Sequence, residues 1–170
     1  LEPLQVKNYE VKIIDNGNVR NARSNEQALI TLESKLGYST QVFSNNGEIS
    51  LIPDDYEVSI YLSENDTSYT IPEQKVVNCV EVPRKGLLGL FGSEEKCVEN
   101  TVPEIKIDQV ITGSAKFAFN ISSVNLEDAN KIIFYVNYYG LPSSYEDIAR
   151  IYEKSDILDE NFIYPRFENE

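Results

Sequence analysis

The chain has no histidine, no tryptophan and no methionine, only two cysteines, and few positive charges for its length. The missing histidine removes the commonest general base, the serine triad, the cysteine–histidine pair and nearly all zinc enzymes. Without tryptophan there is no indole platform for stacking sugars. Lysine and arginine number 15 against 28 acids, a formal charge of −13. Nucleic acid binding needs a basic surface that releases counterions, so that class is excluded, and docking on an anionic membrane is opposed. No apolar run approaches the ~18 residues of a membrane-spanning helix.

What remains for catalysis is carboxylates, tyrosines, lysines and hydroxyls. Two carboxylates suffice for glycoside hydrolysis, but nothing singles out a pair among so many. Ser93-Glu94-Glu95-Lys96 matches the S-x-x-K spacing of serine–lysine acylating enzymes without their partner motifs. Gly86, Gly89 and Gly92 repeat as G-x-x-G-x-x-G without the phosphate-loop lysine. Acidic clusters at 63–67, 127–128 and 156–160 lack the glycine-centred spacing of a calcium loop and read as solvated surface. The sequence is therefore read as non-catalytic, with no cofactor and no metal; a carboxylate-based hydrolase is the last alternative.

With 41% apolar and 25% charged residues, 170 residues make one globular domain spanning 1–170, large enough to bury roughly 70% of its unfolded surface. The start lacks both an initiator methionine and a signal-peptide pattern, which reads as a processed mature chain or an excised ectodomain. Two cysteines without a metal-ligand cluster are expected to form one disulfide, Cys79–Cys97, in an oxidising, extracellular setting; two free buried thiols are the alternative. The sequons at Asn65 and Asn120 are possible glycosylation sites in that setting.

Alternation dominates the rest. Tyr9, Val11 and Ile13, preceded by Val6, mark a first strand, which is also a candidate for donation to a neighbour's sheet by strand addition. SNEQALITLESKLG at 24–37 carries Ser24 and Gln27 at capping-box spacing and Ala28, Leu29, Leu32 and Leu36 at helical spacing, predicting a short helix. YSTQVFS, the turn NNG at 45–47 and GEISLIP predict a hairpin. DYEVSIYL alternates Tyr56, Val58, Ile60 and Leu62 against polar residues. KFAFNI sets Phe117, Phe119 and Ile121 on one side, and KIIFYVNYY predicts a central strand covered on both faces. NLEDAN predicts a helical turn, and SSYEDIARIYEK a helix capped at Ser143 with Glu146.

This pattern predicts a mainly β (α+β) fold, an antiparallel β-sandwich-like sheet with two or three short helices at its edge. The stretch LIPDDYEVSIYL resembles the strand pattern of prealbumin-like and carboxypeptidase-regulatory-like domains, where a Pro-Gly turn leads into a Tyr-x-Val strand. Here Asp54 stands where glycine is usual. The resemblance covers a dozen residues, implies a secreted β-sandwich, and carries no function with it.

The feature least like a core strand is the segment between the cysteines. Val80, Val82 and Val98 alternate with polar residues like the stem of a long hairpin tied at 79–97. Its head, GLLGLFG, presents Leu87, Leu88, Leu90 and Phe91. Such a head either folds back into the core or docks into a groove on another subunit; membrane insertion, like a stapled fusion loop, is opposed by the overall acidity. The expected function is a non-catalytic extracellular structural subunit of a cell envelope or surface appendage, filament- or pilus-like. It self-associates by strand addition or loop docking, with itself or another surface protein as partner. The alternative is a secreted monomeric binding or adhesion module.

Overall fold

The computed structural model describes residues 3–65, 69–83, 92–154 and 166–168. Strands dominate: one curled mixed sheet forms the body, and two short helices pack on it.

The first strand, β1 (Gln5–Asp15), alternates as its sequence predicts, with Tyr9, Val11 and Ile13 buried. Val6 lies on the opposite face and is exposed. The turn at Asn16-Gly17, both with positive φ, returns the chain as β2 (Asn18–Asn21).

Residues 24–37 do not form the helix that their capping and spacing predict. They hold β3 (Glu26–Ser34), with Ala28, Ile30 and Leu32 turned into the core. The same residues satisfy both periods. Pairing decides between them, because β6 (Asp54–Asn65) aligns with β3 over nine positions, Glu26 opposite Glu64 through Ser34 opposite Tyr56. Leu36, counted on the helical stripe, is exposed.

The predicted hairpin is real as a reversal but not as a ladder. β4 (Ser39–Phe43) and β5 (Asn46–Leu51) fold back at Ser44-Asn45, and Tyr38 Oη donates to the Ser50 carbonyl at 2.7 Å. Their backbone ladders run outward instead, β4 to β3 and β5 to β1. This splayed pair brings the two ends of the sheet together. Asn45 joins them, accepting from Val11 N through its carbonyl while its side-chain amide bonds Ala28 N and the Glu26 carbonyl.

Between these ends run β6, β11 (Gln109–Ile121) and β12 (Lys131–Tyr138), giving the order β2-β1-β12-β11-β6-β3-β4. β1 and β12 are parallel; the other pairs are antiparallel. Ile132 to Val136 are all buried, so β12 is covered on both faces as its composition predicts. β11 and β12 exchange only two positions, Gly113 with Tyr138 and Ser114 with Asn137. A Cβ on Gly113 would stand 2.2 Å from the Asn137 carbonyl oxygen, so only glycine allows this approach. Away from that crossing β13 (Arg166–Glu168) pairs with β12 and sets Phe167 beside Phe119.

The helices lie where NLEDAN and SSYEDIARIYEK place them. α1 (Ser123–Asp128) buries Leu126, and α2 (Tyr145–Glu153) rests on β11, where Ser114 Oγ donates to the Ile151 carbonyl. The α2 cap falls one residue later than predicted: Ser144 accepts from Asp147 N, and Asp147 accepts in return from Ser143 N and Oγ.

Candidate functional site: a disulfide-pinned arm

β6 and β11 pair along their whole length, and the chain between them continues past the body as a two-stranded excursion. Its root is a short ladder of β7 (Thr70–Ile71) with β10 (Ile105–Lys106), where Ile71 is fully buried and Gln74 Nε2 reaches the Ser143 carbonyl at 3.4 Å. Beyond it β8 (Gln74–Pro83) pairs with β9 (Ser93–Val102) over ten positions, with no other strand of the described residues alongside. At 3.3 Å per residue the arm is ~33 Å long.

The arm has no core. Val76, Val77, Val80 and Val98 are 41 to 59% exposed, and the polar positions between them are exposed as well. An isolated two-stranded ribbon is marginal in water, and no strand of the described residues pairs with either of its outer edges. The cross-strand disulfide, predicted from the cysteine count, is present between directly opposed Cys79 and Cys97. It pins this ribbon at mid-length.

Register sorts the arm into two unlike faces. One carries Val76, Val80 and Val82 of β8 with Val98 of β9, beside Asn78, Asn100, Lys96 and Glu94. The other carries the disulfide between Glu81, Glu95 and Glu99, with Glu95 Oε1 3.9 Å from Cys97 Sγ. Ser93 and Lys96 fall on opposite faces of β9, so the S-x-x-K spacing brings no nucleophile to a base. The predicted interaction loop Leu87, Leu88, Leu90 and Phe91 lies outside the described residues, as does the acidic run 156–160.

The other predicted site residues sit in the body. Tyr9, Val11 and Ile13 of the candidate donated strand are in the core, and β1 is flanked by β12 on one edge and by β5 and β2 on the other. Asn65 ends β6, exposed, with its N–H bound to the Asn25 carbonyl; Asp66 and Thr67 of its sequon are outside the described residues. Asn120 is exposed on β11, but its amide donates to Asp55 Oδ1 at 2.7 Å, and Ser122 of the same sequon caps α1.

One constellation escaped sequence reasoning: the cross-strand pair Glu26 and Glu64, only 2% and 8% exposed. Arg20 clamps Glu26 through both terminal nitrogens at 2.6 and 2.9 Å and holds Asp15 through Nε, while Arg23 N adds a third donor to Glu26. Burial opposes ionisation of Glu26, yet Arg20 and Arg23 together keep its pKa below the ordinary carboxylate value. Among the described residues Glu64 receives a hydrogen bond from Asn25 Nδ2 at 3.2 Å, and its other oxygen has none. A carboxylate locked in a bidentate ion pair is structural, not a poised acid or nucleophile. Among the described residues the one group of three metal-type ligands is Cys79, Glu95 and Cys97, whose sulfurs are bonded to each other.

No helix among the described residues is long and apolar enough to cross a membrane. Comparison with protein-family models, with characterised proteins and with solved structures finds no match for this chain.

Proposed function

We propose that the chain is a non-catalytic extracellular subunit of a cell-envelope or surface-appendage assembly, joined to its neighbours through the β8–β9 arm. The observation that carries this reading is the arm itself: ten paired positions held out from the body, three of its four exposed valines on one face, and no other described strand along either edge. A chain that bears −13 and exposes such a ribbon gains nothing in solubility from it. The disulfide supports an oxidising compartment, since such bonds persist outside the cytosol and here staple a segment without a core.

Assembly is tested by sedimentation over a wide concentration range, comparing the intact chain with one in which 74–102 is replaced by a short Gly-Ser turn. The intact chain is expected to form concentration-dependent multimers and the armless chain to stay monomeric. An intact chain that is monomeric throughout contradicts the proposal.

A second reading, a secreted binding module, is favoured by one cleft of roughly 300 Å³ lined by Ser24, Gln27, Ser44, Asn46 and Asn65, with Asn25, Asn45 and Glu26 beneath them held in the hydrogen bonds described above. Its neutral amides suit an uncharged, hydroxyl-rich ligand. Protection of these amides by added saccharide, with the chain remaining monomeric, would move the assignment there.

A further inference from the structure

We propose that two copies of the chain associate by reciprocal arm exchange, the valine face of each arm lying in an apolar groove on the outer wall of the other copy's sheet. This rests on the reading of the arm as the joint and names its seat.

The groove lies on the outer side of β3, β4, β6 and β11, with a volume of roughly 410 Å³ lined chiefly by Leu29, Phe43, Tyr61, Ile111 and Tyr152. Solvent-facing sheet positions are ordinarily polar, and here they are aliphatic and aromatic, with Phe43 and Tyr152 half open to water. Tyr152 reaches down from α2 to stack near Tyr61, ring centroids 4.8 Å apart, and walls one side.

Three observations select a second copy's arm as the occupant. The first is position: Gln109 and Ser63, hydrogen-bonded at 2.9 Å, line the groove at the ends of β11 and β6 from which the arm departs. The arm therefore springs from the groove's rim, yet leaves its own groove uncovered, since its residues are exposed on both faces. A twofold axis that brings two rims together lays each arm across the opposite groove.

The second observation is charge. The valine face of the arm carries one base, Lys96, and one acid, Glu94, so that face is formally neutral in a chain that bears −13. Bodies repel one another; a neutral face approaches another acidic body with little penalty.

The third is area. A ribbon ~33 Å long and ~10 Å wide covers about 330 Å² on each partner. One docked arm thus removes roughly 660 Å², the size of a crystal-packing contact, whereas two exchanged arms remove roughly 1,300 Å², which reaches the range of specific interfaces. Exchange also closes the symmetry, so both arms and both grooves are used within the pair.

The test uses the full chain in sedimentation velocity, with folding followed by circular dichroism. Val76→Ser/Val80→Ser/Val98→Ser alters the arm, Phe43→Ser alters the groove, and Val77→Ser, on the opposite arm face, is the control. The arm and groove variants are each expected to raise the dimer dissociation constant at least tenfold, and the control to leave it unchanged. An equimolar mixture of the arm and groove variants is expected to dimerise more tightly than either variant alone and more weakly than the parent, because that heterodimer keeps one unaltered arm in one unaltered groove, half of the exchanged interface. If Phe43→Ser dimerises like the parent chain while the arm variant does not, the groove assignment is overturned and the arm remains the joint. If the arm variant dimerises like the parent, both fall.

Discussion

Removing the disulfide by Cys79→Ser/Cys97→Ser separates the arm from the body energetically, and the structure sets the size of the effect. The closed loop has a sequence separation of 18, for which the chain-entropy model gives ~3 kcal/mol. That energy protects whatever unfolds with the loop. Because β8 and β9 bury nothing against the core, the arm is expected to open while the sheet stays intact. The stabilisation then appears as a change of roughly two orders of magnitude in amide exchange, since every ~1.4 kcal/mol is tenfold. Hydrogen-exchange mass spectrometry on the two chains is expected to show that loss of protection at 74–83 and 93–102, with exchange in β3, β6 and β12 unchanged. The thermal midpoint of the body is expected to move by less than about 2 °C. If the arm instead folded as one unit with the body, the same ~3 kcal/mol would lower the midpoint by roughly 6–12 °C for a chain of this size. A fall of that order refutes the separation.

Other expectations concern the body and the chemistry around the disulfide. Arg20→Leu strands the buried Glu26 carboxylate and is expected to destabilise the chain by about 3–5 kcal/mol, measured by urea denaturation. Because Glu26 titrates lower in the folded chain than unfolded, its contribution is complete above the ordinary glutamate range near pH 4.5 and is lost as pH falls through the folded value. Urea midpoints should therefore decline on acidification below about pH 4.5 in the parent chain, and the Arg20→Leu chain should lack that component. Glu81, Glu95 and Glu99 surround the disulfide, and each opposes an incoming thiolate by roughly 0.5 kcal/mol at ~8 Å in water. Replacing all three by glutamine should speed reduction by glutathione about tenfold at low salt, shrinking to roughly threefold at ~0.1 M as screening sets in. Gly113→Ala drives a methyl into the Asn137 carbonyl and is expected to cost on the order of 3 kcal/mol or to prevent folding, read by soluble yield and thermal midpoint.

Much of this architecture was legible because alternation and burial agree. Tyr9, Val11 and Ile13, the Tyr56 to Leu62 series and the unbroken apolar run from Ile132 all point inward where period two or full coverage places them. The disulfide followed from counting, and the stem valines from their alternation across it. The segment 24–37 misled because Ala28, Leu29 and Leu32 fit a helical stripe, while the deciding partner β6 lies some thirty residues away and leaves no local mark. The parallel pairing of β1 with β12 and the outward ladders of β4 and β5 are long-range choices of the same kind. Glu26 and Glu64 were invisible for a related reason: each is an ordinary acid in sequence, and only strand register makes them a buried pair beside Arg20. The arm's two faces likewise appeared only once Cys79 was set against Cys97, which fixed every other pair along the ribbon.

The central claim, that the arm is where copies of this chain meet, is tested most directly by hydrogen exchange at two protein concentrations. Strands 74–83 and 93–102 should exchange faster in the dilute chain than in the concentrated one, which should protect them further, together with Phe43 and its neighbours on β4. Equal exchange of the arm at both concentrations, or protection gained elsewhere while the arm stays open, contradicts the account.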